Sequence, residues 1–411
     1  MAMHARWKRA GASNNTVLVV HCDGPVDPDR LRRALDRLLD LTPWPASRLR
    51  RPFPWGKLHW AAGPRDTLVA PPVRHHRVAS PDALGRQIDA EINTAIDPRV
   101  EPPLRFVTID TSTGDGVLLA TWFHPLMDPR GGQNLLQHLA DLDAPDGRLA
   151  DITFVASPSQ RPLAERGRLA RQSLAHMRTL APEPPVSPGR DLAAPGPVRF
   201  RHAAFVEPAP RRAMRAMPWR LAVVGKAMAE LWRKRGLPDV PFLLPVSVDL
   251  RPRGEPGATF GNQLAFHFAR FRPVDTDDVT DLARVLRRQL ADAVKDGHID
   301  ANAVAMEFLQ YRPLSRMLKA LPWTSSGEIF SFNYADLAEV PSRLDRFMGS
   351  QVVNAFHVPA VLPRPGIGVF LNRCAGRENV VVSWVDGVVS DDEVDRVIHT
   401  VSDGMEWIEA R

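Results

Sequence analysis

Short runs of β-branched and apolar residues alternate along the chain with longer stretches whose apolar positions recur every three to four residues, which predicts a mixed α/β protein. Residues 16–22 (Thr-Val-Leu-Val-Val-His-Cys) read as a strand that Asp23-Gly24-Pro25 ends. Asp27 then caps a helix with Pro28 at its first position and Leu31, Leu35 and Leu38 on one face. A second helix is predicted over 82–96, while residues 42–75, with Trp44, Trp55, Trp60 and several prolines, carry no readable period. Residues 104–110 and 117–123 are partly alternating apolar runs joined by turn chemistry at 111–116, a hairpin. The second strand runs into His124. Pro125 cannot continue an interior strand, and Gly131-Gly132 lead a helical stretch with Leu135, Leu136 and Leu139.

Residues 155–200 hold eight prolines and a basic amphipathic patch over 163–180, and read as a long connection. They divide the chain into an N-terminal lobe, 1–154, and a C-terminal lobe, 201–411. The second half opens with a helix bearing Leu221, Val224, Met228 and Leu231, which Gly236 stops. Strands are predicted over 242–250 and 264–271, then a helix capped by Thr280 with Leu282, Leu286, Leu290 and Val294 in line. Further strands fall near 328–334, 366–373 and 379–386. The last helix starts with a capping box of Ser390 and Glu393 and turns Val394, Val397, Ile398, Val401, Met405 and Ile408 inward.

The 411 residues allow two sizeable units, and 44% hydrophobic with 24% charged residues excludes a wholly disordered chain. Only Cys22 and Cys374 occur, so neither a disulfide framework nor a cysteine zinc site can be built, and a reducing cytoplasm is the simplest compartment. The net charge of +6 comes from 47 arginines against six lysines. They are scattered and not massed, which argues against nucleic acid as a partner and fits a GC-rich coding composition. No apolar signal core follows the basic N-terminus, and no run reaches the length of a membrane-spanning helix.

The chemistry concentrates at Trp122-Phe-His-Pro-Leu-Met-Asp-Pro-Arg-Gly-Gly132, where His124 and Asp128 form an H-x-x-x-D pair at a strand end before a glycine-led helix. A histidine there suits general-base work, because its ordinary value lies near neutrality. Asp128 need not touch substrate. Paired with Arg251, at the end of the 246–250 strand, or alternatively with Arg130, it would fix the loop that aims the imidazole. His75-His76, read as a loop after Pro71-Pro72, lack a carboxylate at ligand spacing and give no metal site. His267 reads as a hydrogen-bonded core or tunnel residue, and Met214, Met217 and Met228 as core. No G-x-S-x-G elbow and no metal-protease H-E-x-x-H is present.

These segments resemble the chloramphenicol-acetyltransferase-like acyltransferase superfamily, which includes peptide-synthetase condensation domains and wax ester synthase/diacylglycerol acyltransferases. Residues 27–39 look like its first helix and 121–132 occupy the place of its H-H-x-x-x-D-G motif. Leu244-Pro-Val-Ser-Val-Asp-Leu-Arg251 followed by Phe260-Gly-Asn262 is similar to a segment of the wax-ester branch, as are Ser331-Phe-Asn333 and residues 366–372 through 390–393. The resemblance implies a two-lobed α/β fold, each lobe a mixed sheet flanked by helices, with a channel between. It also implies direct transfer of an acyl group from a thioester to a hydroxyl or amine. His124 would be the base, Asp128 and Arg251 its structural support, and Asn262, Ser331 and Asn333 candidates for binding the oxyanion or substrate.

The implied donor is acyl-CoA or an acyl group on the phosphopantetheine arm of an acyl or peptidyl carrier protein, and the acceptor a small molecule or lipid. Neither a bound cofactor nor a metal is implied. Two positions depart from the motif: Phe123 replaces its first histidine and Pro129 its glycine. They motivate an alternative, a catalytically altered scaffold of the same fold that binds a carrier protein or lipid without turnover.

Overall fold

The structure, a computed structural model, describes residues 13–406 apart from 54–55, 148, 150–151, 156–159, 181–184, 190–195, 207–215, 253–256, 312–327 and 329. Met214 and Trp55 lie outside the described residues. In chain order the elements of the first half are β1 (Asn15–Cys22), α1 (Pro28–Leu41), β2 (Arg48–Arg50), β3 (His59–Ala61), β4 (Val73–Val78), α2 (Pro81–Asn93), β5 (Leu104–Thr111), β6 (Gly116–Phe123), α3 (Pro129–Asp143) and α4 (Leu163–Leu180). There follow β7 (Val198–Val206), α5 (Ala216–Lys234), β8 (Phe242–Asp249), β9 (Leu264–Phe271), α6 (Val279–Lys295), α7 (His298–Leu309), β10 (Asn333–Glu339), β11 (Arg346–Phe347), β12 (Ser350–Pro359), β13 (Ile367–Cys374), β14 (Arg377–Val385) and α8 (Asp391–Glu406).

Two larger sheets carry the molecule, of order β11-β12-β1-β6-β5-β4 and β10-β13-β14-β7, with two-stranded pairs β2-β3 and β8-β9 beside them. β1 is central because its side chains are apolar on both faces. Leu18 and Val20 pack with Leu31, Leu35 and Leu38 of α1 and Leu135 and Leu139 of α3. Val17 and Val19 pack instead with Ile88 and Ile92 of α2 and with the apolar faces of α5, β13 and β14. A strand buried on both sides needs no polar alternation, which is why its sequence is an apolar run. The architecture is two-lobed α/β.

The sheet of the first lobe is not made of N-terminal residues alone: β1 pairs antiparallel with β6 on one side and with β12 on the other, Leu18 facing both Ala120 and His357. Residues 350–359 therefore lie in that sheet although they follow residue 201. Within 155–200, the amphipathic patch is helix α4, docked on α7 through Leu169, Ala301, Val304 and Phe308 and the Arg166–Glu307 ion pair.

Several local readings are corrected. His75 and His76 lie on β4, a parallel neighbour of β5, and not in a loop. The ladder absorbs their backbone, and the His75 ring meets Thr108 Oγ1 at 3.0 Å. Among the described residues no group of histidines, cysteines and carboxylates has metal-holding geometry. α6 is capped by Asp278, whose carboxylate accepts from Thr280 N and Asp281 N, because the side chain two residues before Thr280 reaches the same orphan amides first. The strand placed near 328–334 runs from Asn333 to Glu339.

Candidate active site

β6 delivers the site. Its partner strand is anchored at the same end, where Asn15 Nδ2 donates to Thr94 O at 2.8 Å and to Glu91 O at 3.2 Å. His124 N then donates to Asn14 O at 2.9 Å, extending the ladder one step past the strand. Residues 124–126 form one 3₁₀ turn with Pro125 inside it. The half-buried imidazole of His124 is thus held by backbone on both sides.

The loop is locked by Asp128, which is fully buried. Its Oδ1 caps α3 by accepting from Gly131 N at 2.9 Å, and Oδ2 accepts from Gln263 N at 2.8 Å. Arg251 Nη2 donates to Oδ1 at 2.9 Å, with the two side chains 3% and 0% exposed. The charge-assisted contact expected between strand ends is therefore present. Arg251 is itself held by Asp249 Oδ1 and Ala258 O. Arg130, the alternative partner, turns to Gln133 Oε1 and Glu339 O.

The two departures from the motif acquire local reasons. Pro129 is the first residue of α3, where proline's fixed φ and missing N–H suit a helix start. Phe123 is buried and meets the Trp60 ring edge-on at 6.3 Å. The glycines after Pro129 are sterically required: a Cβ on Gly131 would lie 2.2 Å from Thr259 O, and one on Gly132 would lie 2.6 Å from the Trp122 ring. The close approach of α3 to the 258–263 segment depends on Gly131, and its approach to Trp122 on Gly132.

Burial holds the His124 imidazole below its ordinary value, while a bond to its own backbone and the charge of Asp128 act in the opposite direction. A neutral ring at pH 7 can accept a proton. Nearby lies a residue that sequence reasoning missed. His357, on β12, is fully buried, and burial followed by the charge of His124 lowers it to about 3. Its Nε2 is 3.3 Å from Gln133 Nε2, and its ring stands edge-on to Trp122 with centroids 5.9 Å apart. Nothing local in 350–359 marks it, because the strand that presents it pairs with β1 from the far end of the chain.

The other candidates divide. Asn262 is at the loop: its Nδ2 donates to Pro125 O at 3.1 Å, and Gly261 N donates to Leu126 O at 2.8 Å. Ser331 is buried at the β8 edge, where its Oγ accepts from Leu243 N at 3.2 Å. Asn333 begins β10 and donates to Ile367 O at 3.4 Å. Among the hydrogen bonds of the described residues, neither reaches the His124 loop. His267 is buried on β9, its Nε2 has no hydrogen-bond partner among the described residues, and burial lowers it to about 4.

No protein-family model and no curated protein matches the chain. Solved structures do. The condensation domain from Monacolin K polyketide synthase MokA matches over 100% of this chain and 96% of its own, with TM-score 0.63 and 14% identity. The first condensation domain of the calcium-dependent antibiotic synthetase, in complex with a substrate analogue, matches over 98% and 93%, with TM-score 0.67 and 16% identity. A mutant starter condensation domain of rhizomide synthetase RzmA in complex with C8-CoA matches over 98% and 91%, with TM-score 0.66 and 13% identity. The chain has the two-lobed α/β fold of these condensation domains.

Proposed function

We propose that the protein is an acyltransferase that moves an acyl group from a thioester to a hydroxyl or amine acceptor. The observation that carries this reading is a histidine, held by burial below its ordinary value, on a loop that a buried aspartate-arginine pair fixes, in a fold shared with condensation domains. His124 takes the proton from the acceptor O–H or N–H as it attacks the thioester carbonyl. The tetrahedral oxyanion then collapses, the C–S bond breaks, and the proton passes to the departing thiolate. No acyl-enzyme is required. Asp128 and Arg251 act through the loop and do not touch substrate.

For the oxyanion, Asn262 is favoured over Ser331 and Asn333, because it alone of the three is bonded to the His124 loop. The donor is acyl-CoA or a carrier-protein thioester, a choice supported by the likeness to a domain solved with C8-CoA. We place the acceptor among small molecules and lipids, after the wax-ester-like segments of the sequence. No helix among the described residues is long and apolar enough to cross a membrane, and a cytoplasmic site of action fits the two free, buried cysteines. The scaffold alternative rested on Phe123 and Pro129, and both now have packing reasons compatible with an active loop.

The test is acceptor-dependent thiol release from acyl thioesters. His124→Ala should lose about 10²- to 10⁴-fold in rate while unfolding at the wild-type temperature. An undiminished rate in that folded variant rejects His124 as base. Absence of turnover in the wild type, across thioesters and acceptors, would favour the scaffold.

A further inference from the structure

The hairpin β2-β3 has two unlike faces. Cross-strand pairing puts Leu49 with Trp60 on one side, and Arg48 with Ala61 and Arg50 with His59 on the other. The Leu49-Trp60 face looks toward the His124 loop, since Trp60 meets Phe123. Just before the hairpin, Trp44 stacks on Phe260 at 6.2 Å, two residues from the Asn262 that bonds Pro125 O. The hairpin also touches the other half of the chain, where Leu58 N donates to Gln310 O at 3.1 Å.

The opposite face borders a cavity of about 350 Å³ lined by Arg48, Arg50, Ala61, Gly63 and Thr67. Among the described residues neither arginine has a carboxylate partner. Arg48 donates to Ala46 O at 2.8 Å and Arg50 to Arg99 O at 3.0 Å. The carboxylate whose field reaches Arg48 is Glu101, and its Oε1 is engaged by Asp97 N at 2.7 Å. Burial, and next the charge of Arg50, pull Arg48 below its ordinary value. Nearby cations answer to other groups: Arg65 pairs with Asp40 and Arg99 with Asp97. Two like charges two residues apart on one strand face, beside a cavity and, among the described residues, with no carboxylate in direct contact, form an arrangement that an anion relieves.

We propose that this cavity binds the phosphate of a pantetheine-bearing acyl donor, with Arg48 and Arg50 as its ligands. The guanidinium fork matches phosphate oxygens in geometry as well as charge. The choice of ligand rests on the acyltransferase reading, whereas the anion site itself does not.

The experiment separates them by measuring binding without turnover. Wild type and the Arg48→Ala/Arg50→Ala double variant are titrated calorimetrically with CoA, 4′-phosphopantetheine and uncharged pantetheine. CoA and 4′-phosphopantetheine should bind the wild type and lose about tenfold or more in affinity in the variant, while pantetheine is unaffected. A much tighter CoA than 4′-phosphopantetheine assigns the site to the free cofactor, and equal affinities assign it to the carrier-protein arm. Arg50→Lys, which keeps the charge, should recover part of the affinity. In turnover, KM for acyl-CoA should rise in the double variant. Equal CoA affinity in wild type and a folded double variant, or no phosphate-dependent binding to the wild type, overturns the site. Arginine-dependent CoA binding without any turnover supports it while defeating the acyltransferase reading.

Discussion

Removing the Asp128 carboxylate should destabilise the protein through Arg251 more than through the helix it caps. In Asp128→Ala three contacts are lost at once: the α3 cap to Gly131 N, the bond from Gln263 N and the ion pair to Arg251. A lost N-cap costs about 1 kcal/mol. Leaving one member of a buried pair uncompensated costs about 3–5 kcal/mol. Here Arg251 keeps Asp249 Oδ1 at 3.0 Å as a second counter-charge, so the lower end, about 3 kcal/mol, is expected for the pair. The terms share one carboxylate and do not add fully. Asp128→Asn should cost less than Asp128→Ala, because an amide oxygen can still cap Gly131 N. Urea unfolding followed by tryptophan fluorescence measures each variant. A double-mutant cycle with Arg251→Ala should return a coupling of about 2 kcal/mol. A coupling near zero, with Asp128→Ala within about 1 kcal/mol of wild type, would falsify the claim that this pair holds the loop.

Gly131→Ala should destabilise by about 1–3 kcal/mol, since the new methyl meets the Thr259 carbonyl and cannot move away. Gly85→Ala is the control: nothing lies within 4 Å of its Cβ position, so in α2 the change should be neutral or stabilising by up to ~1 kcal/mol in thermal or urea unfolding. Ser331→Ala should cost about 1–3 kcal/mol by orphaning Leu243 N, and an equal loss of rate without that destabilisation would point to a direct role in transfer. Burial lowers His138 and His267 to about 4 and His357 to about 3, beneath an unfolded value near 6.5. Folding favours their neutral forms, so this contribution is complete above about pH 6.5 and is lost as the pH falls toward about 3–4. Urea midpoints should therefore drop steadily below about pH 6.5, and His138→Leu should make that slope shallower. An unchanged slope would remove His138 from the account.

What the sequence made legible was local. The β1-α1 unit, the β5-β6 hairpin and the capping box of α8 each carry their signal within a short stretch of chain, in apolar period, cap or turn chemistry. Asp128 and Arg251 could be paired because both stand at strand ends that a motif had already placed. The edge strand β4 and the long hairpin segment before it escaped because prolines and arginines cover their pattern. β7 does alternate, Val198, Phe200 and His202 inward from arginines, yet it follows immediately on a proline-rich stretch that drew the whole segment into a connection.

His357 was illegible for a deeper reason. Strand β12 crosses from the second half to lie beside β1, so the imidazole that feels the charge of the candidate base arrives through a pairing with no local trace. The His124 loop is built in the same manner. Its backbone is steadied by Asn14 from the chain's start, its aspartate by Arg251 and Gln263 from beyond the proline-rich connection, and its turn by Gly261 and Asn262. Division of the sequence at 155–200 thus describes where the chain is locally irregular, while the site depends on contacts that cross this division several times. A histidine positioned by groups so distant in sequence keeps its aim only while both halves remain docked, which ties the candidate chemistry to the integrity of the whole fold and not to the motif that announces it.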